Sequence, residues 1–352
     1  MGADAPDWAA GWASGVGSLP GTDPDEAARL VLGELPELPH LPELPARGPG
    51  ADMLGRGTVL LADLYADIQP AGWRLTARPG VESRRARDLL SRDLDAFEEA
   101  ARGHRGPVKV QAAGPWTLAA ALELPRGDKV LGDAGAVRDV AAALAQGLSD
   151  HLADLGRRLP GSRFYVQLDE PSLPAVLAGH VLTASGLGGL PAPDAALATE
   201  QLAVVLGAVA AAGAVPLVHC CAPRPPVRLL VEAGARGLSL DATVLSTRDD
   251  DRLGEAVEAG VALLLGLVPS TEPAPPMPTR ALIAPAQQLW ARLGFPAAQL
   301  PAAVVVTPTC GLAAASPSYA RGALAAARAC AEALGDDPDA SLREERRPQV
   351  RR

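Results

Sequence analysis

From about residue 107 onward the chain alternates between short aliphatic runs and longer amphipathic stretches. The apolar runs cover residues 108–113, 164–168, 215–218, 237–240, 263–268 and 304–307. Between them, helix-like segments cover 136–159, 195–212, 227–233, 252–259, 278–293 and 318–334. Strands alternating with helices at this spacing predict βαβ units and a parallel sheet. Runs that are nearly continuously apolar fit a sheet buried on both faces.

Upstream the pattern is less regular. Residues 15–20 read as a strand end, and Asp23-Pro24-Asp25-Glu26 supplies a cap, a proline at the first helical position and acids in the first turn. A second strand is expected near 41–46. Adding these two to the six later runs gives eight strands, which predicts a single α/β domain of the (β/α)8 TIM-barrel type over residues 11–335. Residues 47–106 carry no clear βα repeat and read as an insertion after the second strand, with a hairpin around 73–76 and a charged surface helix over 81–102. An insertion at that point is expected on or near the active-site face. Residues 1–10 read as an N-terminal tail, and 336–352 as a charged C-terminal tail frayed over its last residues. The triple Glu-Leu-Pro at 34–36, 37–39 and 43–45 is local low complexity without a solenoid period.

Composition alters this picture little. Lysine occurs only at 109 and 129, and alanine, glycine and proline are abundant, so an alanine-rich stretch such as 208–214 signals helix and nothing more. A net charge of -9 gives no electrostatic drive toward nucleic acid or anionic lipid. No apolar run reaches the ~20 residues of a membrane helix. The N-terminus lacks a basic region followed by an apolar one, so a cytoplasmic protein is expected. Four cysteines are too few for a disulfide scaffold, and reduced thiols are the expectation.

The candidate chemistry lies at strand ends. The run at 215–218 leads into His219-Cys220-Cys221, and alternation along a strand puts His219 and Cys221 on one face with Cys220 opposite. The next run ends at Asp241, and the last leads through Pro308-Thr309 to Cys310-Gly311. A barrel gathers such ends at one mouth, where a histidine, two thiols and a carboxylate form a donor set suited to tetrahedral zinc. The same residues also suit a hydrogen-bonded histidine and buried apolar thiols, and spacing does not choose between the two. Cys220 and Cys330 read as core residues. Of Asp169 and Glu170, one can turn into the mouth to bind an ammonium group or a water, or one can cap a helix. Gly114-Pro115-Trp116-Thr117 is either a backbone nest or a plain loop.

Taken in order, Gly17-Ser18-Leu19-Pro20, Gly114-Pro115-Trp116-Thr117, Gln167-Leu168-Asp169-Glu170-Pro171, His219-x-Cys221, Leu238-Ser239-Leu240-Asp241 and Pro308-Thr309-Cys310-Gly311-Leu312 resemble the catalytic C-terminal barrel of cobalamin-independent methionine synthase. That family shares its fold with uroporphyrinogen decarboxylase. The resemblance spans roughly residues 11–335 and implies a zinc-dependent methyltransferase that forms methionine from homocysteine. It implies zinc ligation by His219, Cys221 and Cys310, with Asp241 where the family has a glutamate. It implies that Asp169 holds the homocysteine amino group and that Gly17 and Ser18 receive its carboxylate. The family's second amine-binding acid has no clear counterpart, and Glu43 and Asp52 are the nearest acids. The long enzymes of the family carry a second barrel that this length excludes, and a histidine after the seventh strand. Here that region reads Gly266-Leu267-Val268-Pro269-Ser270-Thr271-Glu272. The resemblance implies methyl-tetrahydrofolate or a corrinoid protein as methyl donor, and without that histidine a corrinoid protein or another donor is expected rather than free methyl-folate. Transfer to another thiol, as in coenzyme M-type transferases, and a non-catalytic zinc-stabilised barrel are the alternatives.

Overall fold

The computed structural model describes residues 10–183 and 185–339; of the sequence-predicted tails at 1–10 and 336–352, residues 1–9 and 340–352 lie outside the described residues. Strands β1 (Tyr65–Gln69) and β2 (Gly72–Thr76) pair as an antiparallel hairpin. Six parallel strands follow: β3 (Pro107–Ala113), β4 (Arg163–Asp169), β5 (Val215–Cys220), β6 (Gly237–Asp241), β7 (Ala262–Val268) and β8 (Val304–Pro308). Each pairs with the next in chain order, so the sheet is a curled parallel one with β3 and β8 at its edges. The protein is thus a mixed α/β fold in which helices return the chain between successive strands.

Two irregular segments reach from one edge toward the other. Ser14 N–H donates to the Val306 carbonyl at 2.9 Å, Leu19 N–H to the Glu43 carbonyl at 2.9 Å and Leu41 N–H to the Lys109 carbonyl at 2.9 Å. These segments correct the expectation of strands at 15–20 and 41–46, because they pair only through isolated bridges and residues 45–47 turn as a 3-10 helix. Proline explains the difference in the second segment. Pro36, Pro39, Pro42 and Pro45 withhold a backbone donor at every third position, so no continuous ladder can form.

The insertion is built much as its sequence predicts. The hairpin is present, a helix runs over Val81–Ala100, and a further short helix, Met53–Val59, was not anticipated. Buried charge ties the insertion together and to the segment that carries Glu43. Asp93 accepts from Arg47 at 2.7 Å and from Arg56 at 2.5 Å, and Arg56 Nε lies 3.3 Å from a Glu43 carboxylate oxygen.

Helices pack outside the sheet around one large apolar cluster, and a smaller cluster of Leu38, Tyr165, Val215, Leu217, Leu264 and Val305 fills its inner face. Further along the same strands the inner positions become polar: Lys109, Gln111, Gln167, Ser239 and Thr307 are all buried. Alternation carries this line on to the strand ends, as in Tyr165, Gln167, Asp169 and Leu217, His219, Cys221.

Candidate metal centre and substrate pocket

A cavity of about 320 Å³ opens at the C-terminal ends of the strands. Its lining includes Gly17, Ser18, Glu43, Asp52, Asp169, His219, Cys221 and Cys310. Donor atoms of His219, Cys221 and Cys310 all lie within 4.8 Å of one another. Strand alternation delivers the first two from β5, with Cys220 turned into the core between sheet and helices. Cys310 follows β8 and is brought in by the next residue: a Cβ on Gly311 would fall on the Ser18 hydroxyl, so glycine lets the two segments meet.

The donor set fits zinc. His219 Nδ1 lies 2.9 Å from the Ser239 hydroxyl, while its Nε2 is buried and without a partner among the described residues. An imidazole anchored through one nitrogen and unpartnered at the other is the arrangement of a metal-ligating histidine. The Cys221 and Cys310 sulfurs are 3.5 Å apart. Two thiolates at about 2.3 Å from a tetrahedral ion would stand roughly 3.8 Å apart, so little movement is needed. Contact with the Cys221 thiol and with His219 brings the Cys310 thiol down to about 4, while the same contact and burial push Cys221 up.

Asp241 is placed differently. It ends β6, but its Oδ1 accepts from the Thr243 N–H at 2.8 Å and hydroxyl at 2.6 Å, and it does not join the three clustered donors. The carboxylate closes a local turn instead.

The two acids at the end of β4 divide their roles. Asp169 faces the cavity, where burial raises its carboxyl to about 7. Glu170 points away and is buried beneath the helix Pro115–Ala121, accepting from Trp116 N–H at 2.9 Å and from the Thr117 N–H and hydroxyl, each at 2.7 Å. The segment from Gly114 to Thr117 is thus a nest whose anion is Glu170, and a Cβ on Gly114 would strike that carboxylate. Glu170→Ala would leave three buried donors unpaired, and we expect it to cost roughly 3 kcal/mol in chemical denaturation. A loss below about 1 kcal/mol would contradict this role.

Glu43 and Asp52, the two acids nearest in sequence to the missing amine-binding position, both line the cavity. Burial raises the Glu43 carboxyl, with Arg56 opposing. Asp52 caps the helix Met53–Val59 through Gly55 N–H at 2.7 Å. Sequence reading overlooked the support beneath: Ser239 behind His219, and Lys109 and Gln167 under the floor. The signal was present in β3, where Val108, Lys109, Val110, Gln111 and Ala112 alternate and so betray a polar inner face.

The sequence matches no protein-family model, and no curated protein sequence matches it. Solved structures are more informative. A B12-independent methionine synthase from Shewanella sp. W3-18-1, in complex with selenomethionine, superposes over 96% of this chain and 99% of its own, with a TM-score of 0.56 and 13% identity. What the two share is the fold. A glycoside hydrolase family 20 β-N-acetylglucosaminidase aligns over 91% of this chain and 70% of its own, with a TM-score of 0.47 and 13% identity.

Proposed function

We propose that this protein is a zinc-dependent methyltransferase that forms methionine from homocysteine, on a barrel closed to eight staves by segments 12–19 and 39–43 within a domain spanning 11–335. The observation that carries the reading is the convergence of His219, Cys221 and Cys310 on a cavity that also holds Asp169, Gly17 and Ser18. A zinc ion held by these three residues would supply what the reaction needs, deprotonation of a thiol that is mostly protonated at neutral pH. The chain's own residues do the rest. Asp169 binds the substrate ammonium group, with Glu43 and Asp52 adding negative charge around it. Gly17 and Ser18 receive the carboxylate. Ser239 holds the His219 ring in place, and the walls of the cavity fix the sulfur in line with the incoming methyl group. The S–CH3 bond forms as the donor–CH3 bond breaks, and the thiol proton has already left.

Three observations weigh against the alternatives. No lysine or arginine lines the cavity among the described residues, so the sulfonate of a coenzyme M-type thiol has no cationic partner there. Structural zinc sites close all four positions with protein ligands, whereas three donors cluster here among the described residues and Asp241 turns an oxygen to Thr243. The residues 266–272 offer no histidine to protonate a folate nitrogen, and loss of a general acid typically costs about 10²–10⁴-fold. We therefore assign a methylcorrinoid protein as donor. X-ray absorption of the zinc-loaded protein should gain a sulfur neighbour on adding homocysteine, with proton release. An unchanged metal environment would refute the homocysteine assignment, and efficient turnover with methyl-tetrahydrofolate alone would refute that of the donor.

A further inference from the structure

The polar layer under the cavity contains a buried ammonium group that the chemistry above does not use. Lys109 on β3 donates to the Val16 carbonyl at 2.8 Å and to Gln167 Oε1 at 3.0 Å. Gln167 hands both contacts on. Its Nε2 donates to the same Val16 carbonyl at 2.9 Å and to Asp169 Oδ1 at 2.7 Å. Burying an ammonium is costly unless opposite charge lies near, and here Asp169 and Glu43 supply it.

Two consequences follow from elementary geometry. A glutamine amide can turn over, exchanging its oxygen and nitrogen. Because Lys109 can only donate, it claims Oε1 and so keeps the Nε2 donor facing Asp169; with the amide reversed, two oxygens would face each other. In a planar trans peptide, moreover, the C=O and the following N–H point in opposite directions. Drawing the Val16 carbonyl inward to Lys109 therefore aims the Gly17 N–H outward, toward the cavity that Val16, Gly17 and Ser18 line.

We propose that Lys109 is the positioning residue of the amino-acid pocket. Through Gln167 it orients the carboxylate at the amine end, and through Val16 it orients the peptide at the carboxylate end. One residue thereby fixes the spacing between the two ends of the ligand. This rests on the methionine-forming reading and deepens it.

The test titrates zinc-loaded protein with L-methionine and two fragments, 3-(methylthio)propan-1-amine without the carboxylate and 4-(methylthio)butanoate without the amine. Lys109→Met should weaken methionine at least about tenfold and weaken both fragments, with the zinc content unchanged. Gln167→Met removes the donor to Asp169 and one of the two donors to Val16 while Lys109 stays on Val16, so it should weaken the amine fragment more than the carboxylate fragment. Rescue by Lys109→Gln, which keeps a donor, should be partial. A folded Lys109→Met protein whose methionine affinity stays within twofold of wild type overturns the proposal. If that variant does not fold, Gln167→Met decides: equal weakening of both fragments overturns it. Wild-type protein that holds zinc but binds neither methionine nor either fragment overturns the methionine-forming reading, and the positioning role with it.

Discussion

Cys310→Ser protein is expected to leave purification with less than about a tenth of the zinc of the wild type, which should hold about one ion per chain. The cysteine is one of three clustered donors among the described residues, and contact with Cys221 and His219 holds its thiol low. Removing a group that merely supports a ligand typically costs about 10–100-fold in metal affinity, so removing a ligand should cost more. Cys221→Ser should behave alike. Asp241→Ala provides the contrast, because its carboxylate is spent on Thr243; that variant should keep its zinc. Metal analysis of the three proteins checks the assignment, and stoichiometric zinc persisting in both cysteine variants would sink it.

The second large effect is on stability. Asp93→Ala should destabilise the protein by roughly 3–5 kcal/mol, read as a shift of the urea midpoint. Asp93 is the shared partner of Arg47 and Arg56, and all three side chains are buried or nearly so. Taking away the carboxylate strands two guanidinium groups out of water, and only Glu43 remains to face Arg56. Arg47→Met removes one cation yet leaves the Arg56–Asp93 pair whole, and should cost much less. A loss below about 1 kcal/mol for Asp93→Ala would show that water reaches this cluster.

Much of this architecture is legible in the residues, and its gaps have physical causes. The six late strands stand out because each apolar run is flanked by helical spacing and a turn residue. The donors His219, Cys221 and Cys310 are readable because they end such runs. Asp169 and Glu170 could be recognised as a functional pair, but not told apart: their roles depend on which one meets the helix after β3, a contact made across the sheet. Asp241 looked like a ligand because it ends a strand, and what diverts it is the neighbouring Thr243, which satisfies its carboxylate locally. The segment near 41–46 misleads because its leucines are all buried, as a strand's would be, while its prolines forbid the ladder. Lys109 was hardest to foresee. A lysine in an apolar strand reads as an exception, and its partners Val16 and Gln167 come from distant parts of the chain.

The meeting of the two ends of the chain bears on how the protein is made. Ser14 bonds to Val306, the Ser18 carbonyl accepts from Leu312 N–H at 2.8 Å, and Gly311 admits the Ser18 hydroxyl beside Cys310. During synthesis the edge of β3 and the first irregular segment emerge early and must wait for β8. Contacts so distant in sequence make for slow closure. Until then Cys310 is absent from the cluster with His219 and Cys221, and the open sheet edges are exposed to other chains. A zinc ion held by all three of these residues could therefore load only after residue 310 has been made and β8 has closed on the first segment.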